Sequence, residues 1–213
     1  MLTGVGRTAL GVAAVRAHES GRQDRLFDDP FAASFVAAVP GAFDRLERTD
    51  EQRSVGAAFA VHAVIRTRCY DDYLLASGAR QVVLLAAGLD ARAFRLPWPD
   101  RVRVFEVDLP EVLAFKQTVL DARAAAPTCL RTTVATDLSS PDWADHLAAG
   151  GFDAGQPTAW LVEGVLIYLT HEAADALLTT VDRLSAPGST VAFEYHTGAT
   201  DDLLDQARTT PAM

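Results

Sequence analysis

The strongest constraint on the fold is the run VVLLAAG at positions 82–88. Its β-branched and aliphatic side chains show no polar alternation, which is typical of a strand that is buried on both faces in a parallel sheet. The side chains then shrink at Ala86, Ala87 and Gly88, where such a strand would end. A ligand can lie directly against a backbone turn of this kind. The sequence therefore predicts a central strand followed by a ligand-binding turn.

An acidic residue follows this turn at an interval that suits an adenosine-containing ligand. Asp108 lies 20 residues beyond Gly88, at the end of a second apolar run over 102–107. In nucleotide-binding α/β folds, an acid at this interval stands on the tip of the neighbouring strand and accepts the ribose hydroxyl protons. An alternative remains open, in which Asp108 only caps a helix whose first turn contains Pro110.

Strand and helix patterns alternate along the chain. This alternation predicts an α/β fold with a doubly wound, mostly parallel sheet. Strands are expected at 82–85, 102–107, 130–135, 158–162 and 190–196, and helices at 8–20, 31–39, 51–76, 109–126 and 171–184.

The length of 213 residues fits one domain with a full core. Within it we distinguish a helical segment, residues 1–77, packed on the same domain, and a Rossmann-like ligand-binding core, residues 78–213. The helices before the first strand can lie over the ligand crevice as a lid, and plain core packing explains them equally well.

Four consecutive predicted strands end in a turn or an acid, at Gly88, Asp108, Asp137 and Glu163. In open parallel sheets, ligands bind at the carboxyl ends of the strands. We therefore expect these four residues to converge on one crevice.

The charge balance limits the class of partner. The formal net charge is −9, and Lys116 is the only lysine among 19 basic residues. Nucleic-acid binding needs clustered cations that release counterions, so a nucleic-acid partner is not expected. The expected partner is a small-molecule acceptor or a protein, and a homodimer is left open.

Other sequence features point to a protein of the cytoplasm. No apolar stretch approaches the length of a membrane span, and residues 1–7 lack the features of a secretory signal. Cys69 and Cys129 have no spacing typical of a disulfide framework or a metal site, so no metal is expected.

The turn after Gly88 also bears on the ligand. A dinucleotide oxidoreductase would carry further glycines here, and Asp90 would repel a pyrophosphate. S-adenosylmethionine contains a ribose and an adenine without a phosphate, and it suits this turn better. A nicotinamide oxidoreductase is the less favoured alternative.

Five motifs follow one another along the chain: RCYDD at 68–72, LAAGLDAR at 85–92, FEVD at 105–108, TDL at 136–138 and EGVLIYL at 163–169. Together and in this order they resemble the leucine carboxyl methyltransferase superfamily. The resemblance runs from about Arg7 to His196. It is strongest to an actinobacterial group of S-adenosylmethionine-dependent methyltransferases that also contains polyketide carboxyl methylases of secondary metabolism. It implies a class I methyltransferase fold and O-methylation of a small-molecule carboxylate or hydroxyl.

The resemblance also implies roles for residues around the methionine part of the cofactor. Arg68 matches the arginine that holds the cofactor carboxylate, a task suited to a bidentate donor. The backbone of the turn at Ala86 and Gly88 would lie against the methionine part, and Glu163 matches an acid near its ammonium. From the sequence alone, Arg66 and Arg68 are two helix positions apart, so at most one of them should face the ligand.

The nucleoside part of the cofactor is matched by the next two strand ends. Asp108, followed by Leu109, matches the ribose-binding acid, and Asp137 with the Leu138 amide matches the pair that reads the adenine edge. No catalytic residue is assigned. A carboxylate acceptor needs no general base, and none of the five histidines lies in a motif that requires one.

The chain departs from the family pattern at two places. Ala86 stands where the family usually has glycine, so weaker cofactor binding is expected. The chain ends 17 residues after His196, where relatives continue into two more strands. The C-terminal end therefore looks truncated, and the alternative function is a catalytically silent homologue that binds the cofactor or a partner protein.

Overall fold

The computed structural model describes residues 4–43 and 50–194, without the side chains of 4–7 and 51–53. The five strands are β1 (Gln81–Leu85), β2 (Arg103–Asp108), β3 (Leu130–Ala135), β4 (Thr158–Val162) and β5 (Thr190–Phe193). The helices are α1 (Gly4–Ser20), α2 (Ala32–Ala37), α3 (Asp50–Ala76), α4 (Arg92–Arg95), α5 (Pro110–Ala122), α6 (Trp143–Ala149) and α7 (His171–Arg183), with a short 3₁₀ helix at Leu166–Tyr168.

The strands form one parallel sheet in the order β3-β2-β1-β4-β5. The prediction that the first apolar run is the central strand is confirmed, since β1 pairs with β2 on one side and with β4 on the other. The chain adds β2 and β3 on one side of β1 and then crosses to add β4 and β5 on the other side, so the strand order switches between β1 and β4. Ligands of open α/β sheets bind at such a switch point, outside the carboxyl ends of the strands.

The side chains of β1 alternate between two hydrophobic cores, so helices cover both faces of the sheet. Val82 and Leu84 belong to one core and Val83 and Leu85 to the other, and all four are buried. The first core takes Leu10 from α1, Leu74 from α3 and Leu120 from α5, and the second takes Trp143 from α6 and Val181 from α7. The predicted doubly wound α/β fold is therefore confirmed.

Most predicted elements are found with shifted ends. The helix predicted at 31–39 covers only Ala32–Ala37, and that predicted at 109–126 covers Pro110–Ala122. The predicted end of the fifth strand at 195–196 lies outside the described residues. Helices α4 and α6 were not predicted, because four and seven residues are too short for a helical period to stand out.

The start of α7 is capped as expected, whereas the N-cap of α2 is Phe31 without a side-chain cap, and the preceding acidic turn binds the first amides instead. The Thr170 hydroxyl accepts a hydrogen bond from the Ala173 amide at 3.2 Å at the start of α7. Before α2, Asp29 Oδ1 accepts hydrogen bonds from the Phe31 and Ala32 amides, both at 3.1 Å. The acidic turn before α2 thus supports the helix start, as its sequence indicates.

Helix α1 reaches the turn that follows β1. A Cβ placed on Gly88 would lie 3.4 Å from the Ala9 Cβ, and Leu10 and Ala13 are buried in the first core. The proposed motion of this segment as a lid and the division at residue 78 stay predictions. In the parts of the chain that the structure describes, no helix has the length and apolar character needed to cross a membrane.

Candidate functional site

A cavity of about 370 Å³ opens at the carboxyl ends of the central strands. Gly88, Asp108, Asp137 and Glu163 all line it, so the predicted convergence of four strand ends is confirmed. Helix α1 contributes a further wall with Thr8, Ala9, Val12 and Arg16. The volume falls in the range of small-molecule and cofactor sites, roughly 300–1,000 Å³.

The turn after β1 uses left-handed backbone conformations at two positions. Gly88 has a φ of 48°, which glycine adopts without steric cost. Ala86 has a φ of 53°, in the region where the Cβ of an L-residue crowds the following carbonyl oxygen. The same turn is held to the sheet by the Ala87 amide, which donates to the Val107 carbonyl at 3.1 Å. The backbone conformation explains why a glycine would suit position 86.

Asp108 is tied to this turn through backbone amides. Its Oδ2 accepts from the Gly88 amide at 2.5 Å, and its Oδ1 accepts from the Leu109 amide at 2.7 Å. Burial raises the pKa of this carboxyl, and the two amide hydrogen bonds offset part of that rise.

The alternative for Asp108, a simple helix cap, is wrong. The N-cap of α5 is Leu109, with Pro110 in the first turn, and no side chain caps the helix. Asp108 instead lines the cavity and bridges two strand-end turns.

Asp137 and Leu138 line the cavity at the end of β3, next to Thr136 and Ser139. Asp137 Oδ1 accepts hydrogen bonds from the Ser139 amide and hydroxyl, both at 2.8 Å. These bonds orient the carboxylate without burying it, since Asp137 is exposed.

Glu163 is held between two guanidinium groups. Arg66 Nε donates to its Oε1 at 2.9 Å and Arg92 Nη1 donates to its Oε2 at 2.7 Å. Burial by itself would raise the pKa of Glu163, and the two cations, Arg92 first, outweigh burial and lower it. Glu163 is therefore ionised, and both of its oxygens are already engaged.

The structure corrects the assignment of Arg68. Its side chain is 52% exposed, and it binds Asp72 Oδ2 at 2.9 Å and the Leu26 carbonyl at 3.1 Å. It is not among the residues that line the cavity, whereas Arg66 is. Two positions along a helix turn a side chain by more than half a revolution, so Arg66 and Arg68 face opposite sides.

Arg92 was assigned no role from the sequence, and it is the most connected cation of the site. Its side chain is 1% exposed and contacts Asp71 at 2.7 Å, Asp90 at 2.5 Å and Glu163 at 2.7 Å. Burial would lower the pKa of Arg92, but Asp90, Glu163 and Asp71 raise it well above the ordinary value. The one available signal was the position of Arg92 two residues after Asp90, directly behind the turn.

Arg16 is the second missed cation, on the wall formed by α1. It donates to the Leu89 carbonyl at 2.6 Å and lies 3.0 Å from Asp29 Oδ2. In the sequence it stands out only as a charged residue between apolar ones in a predicted helix. A buried arginine beside the Gly88 turn can bind an anionic ligand group.

The ion pairs join into one network that runs from the N-terminal helices to β5. Its members are Arg16, Asp29, Arg95, Asp71, Arg92, Asp90, Glu163, Arg66 and Glu194. Four arginines face five carboxylates, and His62 Nε2 lies 3.9 Å from Glu194 Oε2, so one negative charge is in excess when His62 is neutral. The network also keeps Asp90 ionised. Burial by itself would raise the pKa of Asp90, but Arg92 and more distant cations lower this pKa to about 2.

Comparisons with known proteins identify the family of this chain. The family profile described as leucine carboxyl methyltransferase matches residues 9–182. A relative from Parafrankia sp. (strain EAN1pec), named "Putative S-adenosyl-L-methionine-dependent methyltransferase", is 51% identical over 215 residues, covering 99% of this chain and 69% of the relative. A relative of the same name from Frankia alni is 52% identical over 213 residues, covering 99% and 75%.

Two solved structures share the fold. One is a DUF574-family protein from Streptomyces avermitilis, with a TM-score of 0.52 and 20% identity over 85% of this chain and 66% of that one. The other, titled a "putative methyltransferase" from Thermobifida fusca, has a TM-score of 0.53 and 19% identity over 92% and 71%. Because the family profile spans most of the chain and close relatives match nearly all of it, this chain belongs to the leucine carboxyl methyltransferase family and is an S-adenosyl-L-methionine-dependent methyltransferase.

Proposed function

We propose that this enzyme transfers the methyl group of S-adenosyl-L-methionine to an oxygen atom of a small-molecule acceptor, and that this oxygen belongs to a carboxylate. A hydroxyl acceptor is the alternative that the experiment below separates. The alternative of a catalytically silent homologue is not favoured, because the relatives that match nearly the whole chain carry the names of methyltransferases.

The charges of the cavity support the fit to this cofactor. S-adenosyl-L-methionine carries an ammonium, a sulfonium and a carboxylate, and therefore one net positive charge. The ion network beside the cavity has one carboxylate in excess over its arginines. Such complementarity favours the cation, because opposite charges attract more strongly when partly removed from water.

We assign the nucleoside part of the cofactor to the ends of β2 and β3. Asp108 would accept the ribose hydroxyl protons, with Leu109 beside it, and Asp137 with Leu138 would contact the adenine edge. All four line the cavity. The amides that now bind Asp108 fix the direction of its carboxylate before the ligand arrives.

The methionine part is assigned to the turn after β1 and the ion network. The backbone at Ala86 and Gly88 leaves room for close approach, and Glu163 supplies the negative charge for the ammonium. Arg16 and Arg66 are the arginines that line the cavity, and they replace Arg68 as candidates for the cofactor carboxylate. Arg66 already binds Glu163 and Glu194, whereas Arg16 has one carboxylate partner at 3.0 Å.

The observation that carries the choice of a carboxylate acceptor is the kind of ionisable group around the cavity. Among the described lining residues these groups are two arginines, four carboxylates and one tyrosine, without a histidine, lysine or cysteine. A hydroxyl acceptor needs a general base with a pKa near the working pH. The lowered pKa values of Asp90 and Glu163 make these two carboxylates weaker bases still.

The protein then contributes position and exclusion of water. The bound cofactor supplies the chemistry, an electrophilic methyl group on a sulfonium. Val12 of α1, Val165 and Leu169 also line the cavity, and we assign these apolar side chains to an acceptor with an apolar body. Orienting an anionic oxygen towards the methyl carbon is the main demand on these walls, since good alignment by itself supplies several kcal/mol of the barrier.

Labelled methyl transfer to paired acceptors tests this proposal. Acids and alcohols with the same carbon skeleton, for example benzoic acid and benzyl alcohol or octanoic acid and octanol, would be incubated with methyl-labelled S-adenosyl-L-methionine, with phenol as a phenolic acceptor. Methyl esters release labelled methanol in mild base, and methyl ethers do not. We expect base-labile label with the acids and a rate that does not rise between pH 7 and 9.

Base-stable label confined to the alcohols or phenols would contradict the carboxylate assignment. Cofactor binding without methyl transfer to either class of acceptor would contradict the proposal that the enzyme methylates such oxygen atoms. The Asp108→Asn variant is the control, because weakened cofactor binding should lower transfer to every acceptor by the same factor.

A further inference from the structure

A buried group of three charged residues lies next to the cavity and has no role in the assignments above. Lys116 Nζ of α5 lies 2.8 Å from Glu106 Oε2 of β2, and Arg131 Nη2 of β3 donates to the same oxygen at 2.7 Å. Lys116 and Glu106 are completely buried. Removing charges from water is costly, and two cations share a single carboxylate here. The Lys116–Glu106–Arg131 triad therefore carries one net positive charge inside the protein.

The fold places this charge on the same side of the sheet as Asp108. Glu106 and Asp108 are two positions apart in β2, so their side chains leave the same face. Helix α5 begins at Pro110, directly after Asp108, and covers that face with Lys116 on its buried side. Helical side chains tilt towards the N-terminus, which directs the ammonium back to the end of β2.

We propose that Lys116 is a positioning residue for the cofactor ribose, acting through Asp108. Its buried ammonium shares the Glu106 carboxylate with Arg131 and favours the ionised form of Asp108, which accepts hydroxyl protons. This inference rests on the ribose-binding role proposed for Asp108. It gives the only lysine of the chain a function in cofactor binding.

The electrostatics around Asp108 agree with this arrangement. Burial raises the pKa of Asp108, the Gly88 and Leu109 amides lower it, Lys116 also lowers it, and Glu106 raises it. The charged groups that face the buried ammonium are Glu106 from β2, Arg131 from β3 and, more distantly, Asp90 from the turn after β1, whose pKa Lys116 also lowers.

The test measures the dissociation constant of S-adenosylhomocysteine by calorimetry between pH 5 and pH 8. For Lys116→Met we expect the acid midpoint of binding to rise by about one pH unit, the size of shift that a nearby charge causes. The dissociation constant should then increase more at pH 5.5 than at pH 8, by no more than the roughly tenfold that one pH unit allows, and by less than about twofold at pH 8. Lys116→Arg should restore the wild-type profile.

Two other variants of the triad should shift the acid midpoint of binding in the opposite direction or by a smaller amount. Glu106→Gln leaves both cations without their carboxylate, so the midpoint should move to lower pH. Arg131→Met removes a partner of Glu106 from a position that also contacts Gln117 and the Phe94 ring, and its shift should be smaller than that of Lys116→Met. If Lys116→Met does not fold, Glu106→Gln decides the matter by the direction of its shift.

Equal weakening at pH 5.5 and pH 8 in Lys116→Met would mean a purely structural role and would overturn the inference. An unchanged or raised midpoint in Glu106→Gln would do the same. Asp108→Asn separates this failure from a failure of the proposed function. If Asp108→Asn binds with wild-type affinity and pH dependence, the ribose role of Asp108 is wrong; if it loses the pH dependence while Lys116→Met keeps it, only the role of Lys116 is wrong.

Discussion

Replacing Ala86 by glycine should make this enzyme more stable and also improve its affinity for the cofactor. Ala86 has a φ of 53°, and an L-residue in that region costs about 1–2 kcal/mol. Glycine removes this cost but loses more backbone entropy on folding, about 0.5–1 kcal/mol. The net gain is about 0.5–1 kcal/mol, which raises the melting temperature of a chain of this size by about 2 °C. Because Ala86 lines the cavity, loss of its Cβ should also lower the dissociation constant of S-adenosyl-L-methionine about twofold.

The structure offers a matched control for this prediction. Ala124 has a φ of 49°, follows α5 and lies outside the cavity. Ala124→Gly should therefore give a similar rise in melting temperature, measured by calorimetry, with no change in cofactor affinity. If Ala86→Gly melts at the same temperature as the parent or below it while Ala124→Gly gains stability, the turn at position 86 is not strained and the reasoning fails.

Four further outcomes follow from the site. Asp108→Ala should raise the cofactor dissociation constant at least about tenfold, the effect of roughly 1.4 kcal/mol of lost hydrogen bonding to a charged group, and unchanged calorimetry would exclude this residue from the site. Arg66→Ala should weaken cofactor binding whereas Arg68→Ala should not, and the reverse order would restore the original assignment. Arg92→Met should cost about 3–5 kcal/mol in urea unfolding, because Asp90 and other carboxylates lose their buried partner; a loss below about 1 kcal/mol would contradict this role. Asp90, whose folded pKa is about 2, stabilises the protein above its unfolded pKa of about 3.9, and this stability is lost as the pH falls from about 5 to 2. Asp90→Asn should therefore melt lower at pH 7 and lose less between pH 7 and pH 3, and an unchanged loss would refute the assignment.

The order and kind of the elements could be predicted because burial on both faces leaves a visible pattern. The apolar run that became β1 packs into a hydrophobic core on each face of the sheet, so its residues had to be hydrophobic without alternation. The convergence of Gly88, Asp108, Asp137 and Glu163 followed from the same topology, since the carboxyl ends of parallel strands meet at one edge. The positions of these four residues along the chain were sufficient to predict that they lie close together.

The arginines could not be assigned in the same way. Arg66 and Arg68 lie on one helix, and the choice between them depends on how α3 is rotated against the sheet. That rotation is set by packing: the buried residues Ala63, Thr67, Asp71 and Leu74 turn towards the core. The helical spacing predicted that at most one of these two arginines faces the cavity. Only the contact of Arg66 with Glu163, 97 residues away in the sequence, shows that Arg66 is the one.

The ion network explains why many of the charged residues close to the cavity do not line it. Glu163 can be kept ionised when buried only if cations lie close by, and each buried cation in turn needs carboxylates, such as Asp71 behind Arg92. The pairs therefore extend outwards until they reach Asp29, in the turn before α2, and Glu194, directly after β5. In the binding mode proposed above, the cofactor ammonium would approach Glu163 oxygens that Arg66 and Arg92 already bind, so the charge of Glu163 would act together with that of the surrounding network. Removing an outer ion pair of the network should therefore lower the stability of the protein and leave cofactor affinity almost unchanged. Removing Glu163 should lower both the stability and the cofactor affinity.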